Sequence, residues 1–453
     1  MVADARRIPT AMLLGLLAAM PWTAGCDGPE AESPGCGAAP YEWLPAAQVG
    51  GVVSFEPTDL FAELSSNDID ALLGQAGYTG FSPVAYGVRN YRMRYVTQDR
   101  GVLREATAIV GFPVSATPGE QRPIMLWLHG SVGYNDACAP SRDPLEGPAP
   151  TTLGAALGYV TVAPDYLGLI GFGDPSPAGA INPYLVAEPT AIASLDAVRA
   201  MLAAADENPQ PTAGDPSRLV VWGGSQGGHA AWSVDRFAPD YAPELGLLAV
   251  AAGTPPVDLV SMAAWALEHG GLAARSLALA LVAMREWYGL PADLASALTD
   301  VAPTFLASSL PDVMRTSCGR GPLDDAGTPA DIFASGFLAA GVAGDFDAAG
   351  PWGCFLRQNS FDRMSVPRRS DAPVLVVFGE VDDLVVASTQ RAALARLCDD
   401  GARVEVRECA GKGHQDSVLA AFPYIHRWTR DRLAGATMTD ACRFDAPVDC
   451  EGL

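Results

Sequence analysis

Short, unbroken apolar runs closed by glycine or a polar turn recur along the chain, and stretches of helical period fall between them. Residues 124–128 and 374–379 contain no polar alternation at all, the pattern of strands buried on both faces of a sheet. Residues 159–165, 219–222, 245–251 and 404–406 read in the same way. Residues 85–96 and 104–112 alternate instead, around a turn at Gly101, as an antiparallel pair does. Residues 188–204 place Ile192, Leu195, Val198, Met201 and Leu202 at helical spacing, and residues 390–397 and 416–433 read as further helices. Residues 41–78 read as a helical and irregular lead-in. The alternation predicts an α/β protein with a doubly wound, mostly parallel sheet.

The alternation stops between residues 257 and 371. This region is rich in alanine and leucine, with periodic apolar faces around 262–267 and 277–284. A helical block inserted between two core strands predicts a cap over the core. The run 277–282, apolar nearly all round, reads as burial within the cap. The expected order is thus a first core part over residues 41–256, the cap over 257–371 and a second core part over 372–453.

Residues 1–25 have the form of a signal peptide: Arg6 and Arg7, a short apolar run over 10–20, then small residues. That run is too short to span a bilayer comfortably. Thr23-Ala24-Gly25-Cys26 resembles a bacterial lipobox, departing from it at Thr23. It makes Cys26 a candidate lipidation site, beside ordinary cleavage nearby. Residues 26–40, rich in Pro, Gly and Glu, suit a tether. Either route exports the protein, as a secreted or membrane-anchored lipoprotein form. With Cys26 set aside, the nine cysteines leave an even number, which fits an oxidising compartment. Local pairs such as Cys442–Cys450 and Cys398–Cys409 are plausible on spacing. A net charge of −23 argues against nucleic acid as a partner. The cysteines and histidines form no zinc cluster, and neither a phosphate loop nor a dinucleotide fingerprint is present.

The candidate chemistry centres on Gly223-Gly224-Ser225-Gln226-Gly227, which follows a strand and opens a helix. That is the context a G-x-S-x-G nucleophile elbow requires. Ser225 needs a base, and the base needs a carboxylate to orient it. Five histidines permit elimination. His129 lies in the loop after the 124–128 strand, His229 on the helix that follows Ser225, His269 in the cap and His426 inside the closing helix. His414, in a glycine-rich loop after the last strand, completes the order Ser, Asp, His. Glu380, Asp382 and Asp383 follow the 374–379 strand as candidate acids. The N–H groups of Gln226 and Ser131 are the candidate oxyanion donors.

Residues 126–133 and 136–141, 162–168 and 182–186, and the elbow 223–229 together resemble the secretory lipases of the fungal lipase A type and their bacterial relatives. The resemblance spans about residues 84–428. It implies an α/β-hydrolase fold with a helical cap, acting on carboxylic esters, often acylglycerols, with no metal or cofactor. It departs from the family at Gly224, where tyrosine or histidine is common, and in a longer glycine-rich insertion at 169–181. Residues 379–385 resemble the pattern G-x-x-D-x-x-V, whose register selects Asp382. The rival readings are an acyltransferase or a serine peptidase on the same Ser225, Asp382 and His414, and a surface binding lipoprotein that kept the fold without catalysis.

Overall fold

The computed structural model describes residues 42–75, 83–115, 117, 119–289 and 293–452. The expected leader over 1–25, the tether over 26–40 and Cys26 lie outside them. Ten strands pair into one sheet: β1 (Val52–Pro57), β2 (Glu63–Leu64), β3 (Gly87–Asp99), β4 (Val102–Val114), β5 (Glu120–Leu128), β6 (Val160–Pro164), β7 (Thr212–Gly224), β8 (Leu247–Gly253), β9 (Val374–Gly379) and β10 (Val404–Cys409). Their order is β1-β3-β4-β6-β5-β7-β8-β9-β10, with β2 beside β3. β3 pairs antiparallel with β1, β2 and β4, and β4 with β6. From β6 to β10 every pairing is parallel.

The helices are α1 (Ser66–Gln75), α2 (Ala149–Ala156), α3 (Ala187–Glu207), α4 (Gln226–Tyr241), α5 (Leu259–His269), α6 (Gly271–Tyr288), α7 (Leu306–Thr316), α8 (Pro329–Ile332), α9 (Ser335–Val342), α10 (Pro351–Gln358), α11 (Ala387–Asp399) and α12 (His414–Leu433). Successive strand residues serve opposite faces. Leu126, Val221, Val250 and Val376 pack with α3 and α4, among them Leu195 and Trp232. Val220, Trp222, Ala251 and Val377 pack with Ala421, Ile425 and Trp428 of α12. Burial on both sides is why these strands carry no polar alternation. The result is the α/β-hydrolase fold.

The chain from α5 to α10 is inserted between β8 and β9. It has its own core, in which Leu281, Leu298, Leu310 and Phe355 are fully buried. α6 runs through that core, with twelve buried residues, and the all-round apolar run at 277–282 is explained by that burial. Asp258 caps α5 through the Ser261 N–H at 3.0 Å and accepts from Arg363 at 2.9 Å and Arg396 at 2.6 Å. Arg396 also holds Asp362, so both ends of the insertion meet at one ion-pair cluster. Among the described residues no helix is long and apolar enough to cross a membrane.

Two expectations are corrected. The lead-in contains strands β1 and β2, which pair at the antiparallel end of the sheet. The cysteines near the C-terminus pair as Cys398–Cys442 and Cys409–Cys450. The tail after α12 runs parallel to β10: Cys442 N–H donates to Val404 O at the strand's start, and Val448 bridges to Cys409 at its end. Each tail cysteine therefore meets the partner at its own end of the strand. A third bridge, Cys138–Cys318, ties the loop after β5 to the insertion.

Candidate active site

Ser225 leaves β7 in a tight turn that opens α4. Its backbone sits at φ 56° and ψ −120°, outside the regions open to most side-chain-bearing residues. The strain is held on both sides: Ser225 N–H donates to Gly253 O at 2.8 Å, and His229 N–H donates to Ser225 O at 3.1 Å. Close packing explains the flanking glycines. A Cβ on Gly223 would overlap the Gly227 carbonyl, and one on Gly227 would overlap the Leu128 carbonyl. Gly224 is different: the nearest atom to a Cβ there would be Val418 Cγ1, at 3.9 Å.

β9 and β10 bring the other two groups to Ser225. His414 is the first residue of α12, with Gly413 at the N-cap, so the helix begins two residues before its expected start and the histidine is not a loop residue. Ser225 Oγ lies 2.8 Å from His414 Nε2, and His414 Nδ1 lies 2.8 Å from Asp382 Oδ2. With Asp382 accepting from Nδ1–H, Nε2 is left to accept from the serine hydroxyl. Asp382 Oδ1 accepts the N–H groups of Leu384 and Val385, each at 2.9 Å, and the carboxylate is wholly buried. Asp383 is exposed. Glu380 Oε2 is turned away to accept from Gly411 N–H at 2.8 Å.

The loop after β5 flanks the serine on the other side. A Cβ on Gly130 would stand 3.4 Å from Gly224 O and 3.8 Å from Ser225 Cβ. Ser131 follows, and its hydroxyl donates to Tyr184 Oη at 3.2 Å. Gln226 is the first residue of α4, so its N–H belongs to the unpaired set at a helix start. Its side chain donates to Asn182 Oδ1 at 3.2 Å. His129 is half-buried, stacked on Tyr166 at 4.1 Å, with Nδ1 2.7 Å from Gly130 O. Tyr166 Oη in turn donates to His129 O at 3.0 Å. Burial pushes the His129 pKa down, which keeps a neutral ring bracing this loop. Asp165, next to Tyr166, is pushed up to about 6 by burial, although Ser141 and Thr107 donate to it.

None of the other histidines reaches Ser225 Oγ. His229 lies buried with Nε2 3.1 Å from Asn359 O, just beyond α10, and burial lowers its pKa to about 4. His426 packs against Tyr159 and Trp222, and burial lowers it to about 4 as well. His269 stacks on Trp265 within the insertion.

Sequence reasoning missed the bracing of the loop by Tyr166 and Tyr184, whose only signal was their place in the 162–168 and 182–186 segments. It also missed a cavity of about 740 Å³ beside the elbow, between α1, α2 and α12. The cavity is lined by Gly130, Gly224, Gly253 and Val418 at the elbow, and among the described residues none of its lining comes from 257–371.

The chain is similar to known proteins over most of this framework. Lipase A of the fungus Arthroderma benhamiae is 26% identical over 291 residues, covering 63% of this chain and 55% of that protein. This match therefore spans only about half the length of its curated relative. Among solved structures, the rice cell wall degrading esterase LipA from Xanthomonas oryzae aligns with a TM-score of 0.64 at 21% identity. The alignment covers 86% of this chain and 97% of that one. Candida antarctica lipase A in its closed state aligns with a TM-score of 0.62 at 18% identity, over 92% of this chain and 90% of that one. The model of the secretory lipase family matches residues 152–309 and 352–441. Those segments take in the elbow, Asp382 and His414 and make up more than half of the sequence, and the chain belongs to the secretory lipase family.

Proposed function

We propose that the protein is an exported serine ester hydrolase of the lipase/esterase class, cleaving carboxylic esters, acylglycerols among them, through an acyl-enzyme on Ser225. The observation that carries this reading is the unbroken relay from Ser225 Oγ to His414 to a buried Asp382, each link 2.8 Å long. A serine hydroxyl is a weak nucleophile at neutral pH and needs such a base.

In this reading Ser225 Oγ attacks the ester carbonyl carbon while His414 Nε2 takes the hydroxyl proton. Asp382 stabilises the imidazolium and fixes its tautomer. The N–H groups of Gln226 and Ser131 hold the oxyanion, each contributing about 3–4 kcal/mol in comparable sites. Collapse of the tetrahedral adduct breaks the bond to the alcohol oxygen, which leaves with the proton from His414. Water then attacks the acyl-enzyme, giving its proton to His414, and the carboxylic acid departs as Ser225 is reprotonated. The chemistry calls on no metal or cofactor. Residues 257–371 act as a cap over the site, and residues 1–25 direct export, with Cys26 as the anchoring position.

A fluorophosphonate probe and a panel of p-nitrophenyl esters test this. Wild type should be labelled at Ser225 and lose all esterase activity in step, and Ser225→Ala should do neither reaction. Ester turnover that survives Ser225→Ala would overturn the assignment. Partition of wild type with membranes, lost in Cys26→Ser, would establish the anchor.

A further inference from the structure

We infer that Tyr184 is a positioning residue for the reaction: its hydroxyl holds the Ser131 N–H where the oxyanion forms, and it makes the insertion part of that hold. This rests on the hydrolase reading above. The two donors reach the site from different elements, Gln226 from the first turn of α4 and Ser131 from the loop after β5. The Gln226 N–H is fixed by its helix. Residues 129–135 belong to no helix or strand, so the sheet alone does not fix the Ser131 N–H. An oxyanion donor helps only when it is already in place, and about 1 Å of misplacement can cost about 10²-fold.

The turn at 182–184 touches both donor residues. Asn182 Oδ1 accepts from Gln226 Nε2 at 3.2 Å, and Tyr184 Oη accepts from the Ser131 hydroxyl at 3.2 Å. The turn is itself fixed. Asn182 N–H donates to Tyr134 O at 2.8 Å, its side-chain amide donates to Leu167 O at 2.8 Å, and Tyr184 N–H donates to Asn182 O at 2.7 Å. The Tyr184 ring meets the loop a second time, edge-on to Tyr134 at 5.4 Å. Asn182 and Tyr184 are both buried, where a hydrogen bond is stronger than in water. Tyr134 and Tyr184 also pack in the core of the insertion, and the Ser276 hydroxyl of α6 reaches the same phenol oxygen. Phenylalanine would fill that packing space equally well. The hydroxyl is the part that touches the Ser131 loop, and through it the insertion helps to set the distance between the two donors.

Two variants break the same hydrogen bond from opposite sides. Tyr184→Phe keeps the ring and removes the hydroxyl, and Ser131→Ala removes the other hydroxyl and keeps the backbone N–H. Fluorophosphonate titration counts intact sites in each preparation. Per titrated site, each variant should lower kcat for p-nitrophenyl butanoate about tenfold, less than the loss of a whole donor. KM should change less than about twofold, as for an interaction made in the transition state. Butaneboronic acid, whose tetrahedral adduct with Ser225 places an oxygen at the oxyanion position, should bind more weakly by the same factor as kcat. The double variant should lose no more than either single one, because one bond is removed in all three. Ser131 is exposed, so Ser131→Ala carries the test alone if Tyr184→Phe does not fold. Full kcat per site in either variant overturns the positioning role, whatever happens to Tm. Losses that multiply in the double variant overturn it too, since the two hydroxyls would then act separately. A wild type that cleaves no ester and takes no fluorophosphonate overturns the hydrolase reading, and the role of Tyr184 with it.

Discussion

Asp382 commits one carboxylate oxygen to its own turn and the other to His414. The two backbone N–H groups on Oδ1 fix its rotamer, so Oδ2 can face only the imidazole. Asp383, one residue on, points to water. Asp382→Asn should therefore cut kcat by about 10⁴, as the loss of a triad acid does elsewhere, and Asp383→Asn should change it less than about tenfold. Comparable effects from the two variants in steady-state ester hydrolysis would refute this division. His229 yields a second residue-scale expectation, on stability. As pH falls below about 6.5 the unfolded chain takes up a proton on this imidazole, which the folded protein refuses until about 4. The unfolded state thus binds more protons across that window, and stability drops as the pH falls through it. His229→Gln can keep the donor to Asn359 O and removes the titration. Between pH 7 and pH 5 wild type should lose about 2 kcal/mol more than this variant in urea unfolding. Parallel stability–pH curves would show that His229 does not contribute.

Elements explain what could be read in advance and what could not. β8, β9 and the segments 124–128 of β5 and 219–222 of β7 were legible because burial in the sheet leaves nothing charged in their sequence. β1 was not, since it pairs only with β3 and half its residues stay exposed. The elbow was legible through steric necessity at Gly223 and Gly227, where a methyl group has no room. Gly-Lys-Gly before His414 reads as a loop, yet Gly413 caps α12 and the histidine is already helical. The cysteine pairs depended on the direction in which the tail passes β10, which spacing alone does not encode. The cavity was invisible for a similar reason: it is made by three helices far apart in the chain, and by what they leave uncovered. The elbow also gives a paired test. Gly227→Ala drives a methyl into the Leu128 carbonyl and should cost about 1–3 kcal/mol, seen as a Tm lower by several degrees. Gly224→Ala meets no atom closer than 3.9 Å and should melt like wild type. Equal melting of the two would mean that the turn relaxes freely.

On the scale of the whole molecule, the insertion and the sheet are joined around the site by more than the chain crossing between them. Cys138 lies eight residues beyond Gly130, and its bridge to Cys318 spans 180 residues of sequence. Asn135 reinforces the same junction, donating to the carbonyls of Met314 and Ser317 at 3.0 Å each. Gly133 packs directly on Cys138, and a Cβ there would overlap its sulfur. The loop that carries Ser131 is thus gripped at its far end by the α7 end of the insertion. Two consequences follow from breaking the bridge as Cys138→Ser/Cys318→Ser. The unfolded chain regains the freedom of a long closed loop, so stability should drop by about 2–5 kcal/mol. The Ser131 loop also loses its tether while Ser225, His414 and Asp382 keep theirs, because those hang on β7, β9 and α12. Catalysis should then fail at the oxyanion and not at the nucleophile. Fluorophosphonate should still titrate every Ser225, while kcat falls by up to about 10²-fold, less than the loss of a whole donor, and KM for a short ester moves little. A double variant with full kcat and lowered stability would mean that Asn135 and the ion pairs hold the loop unaided.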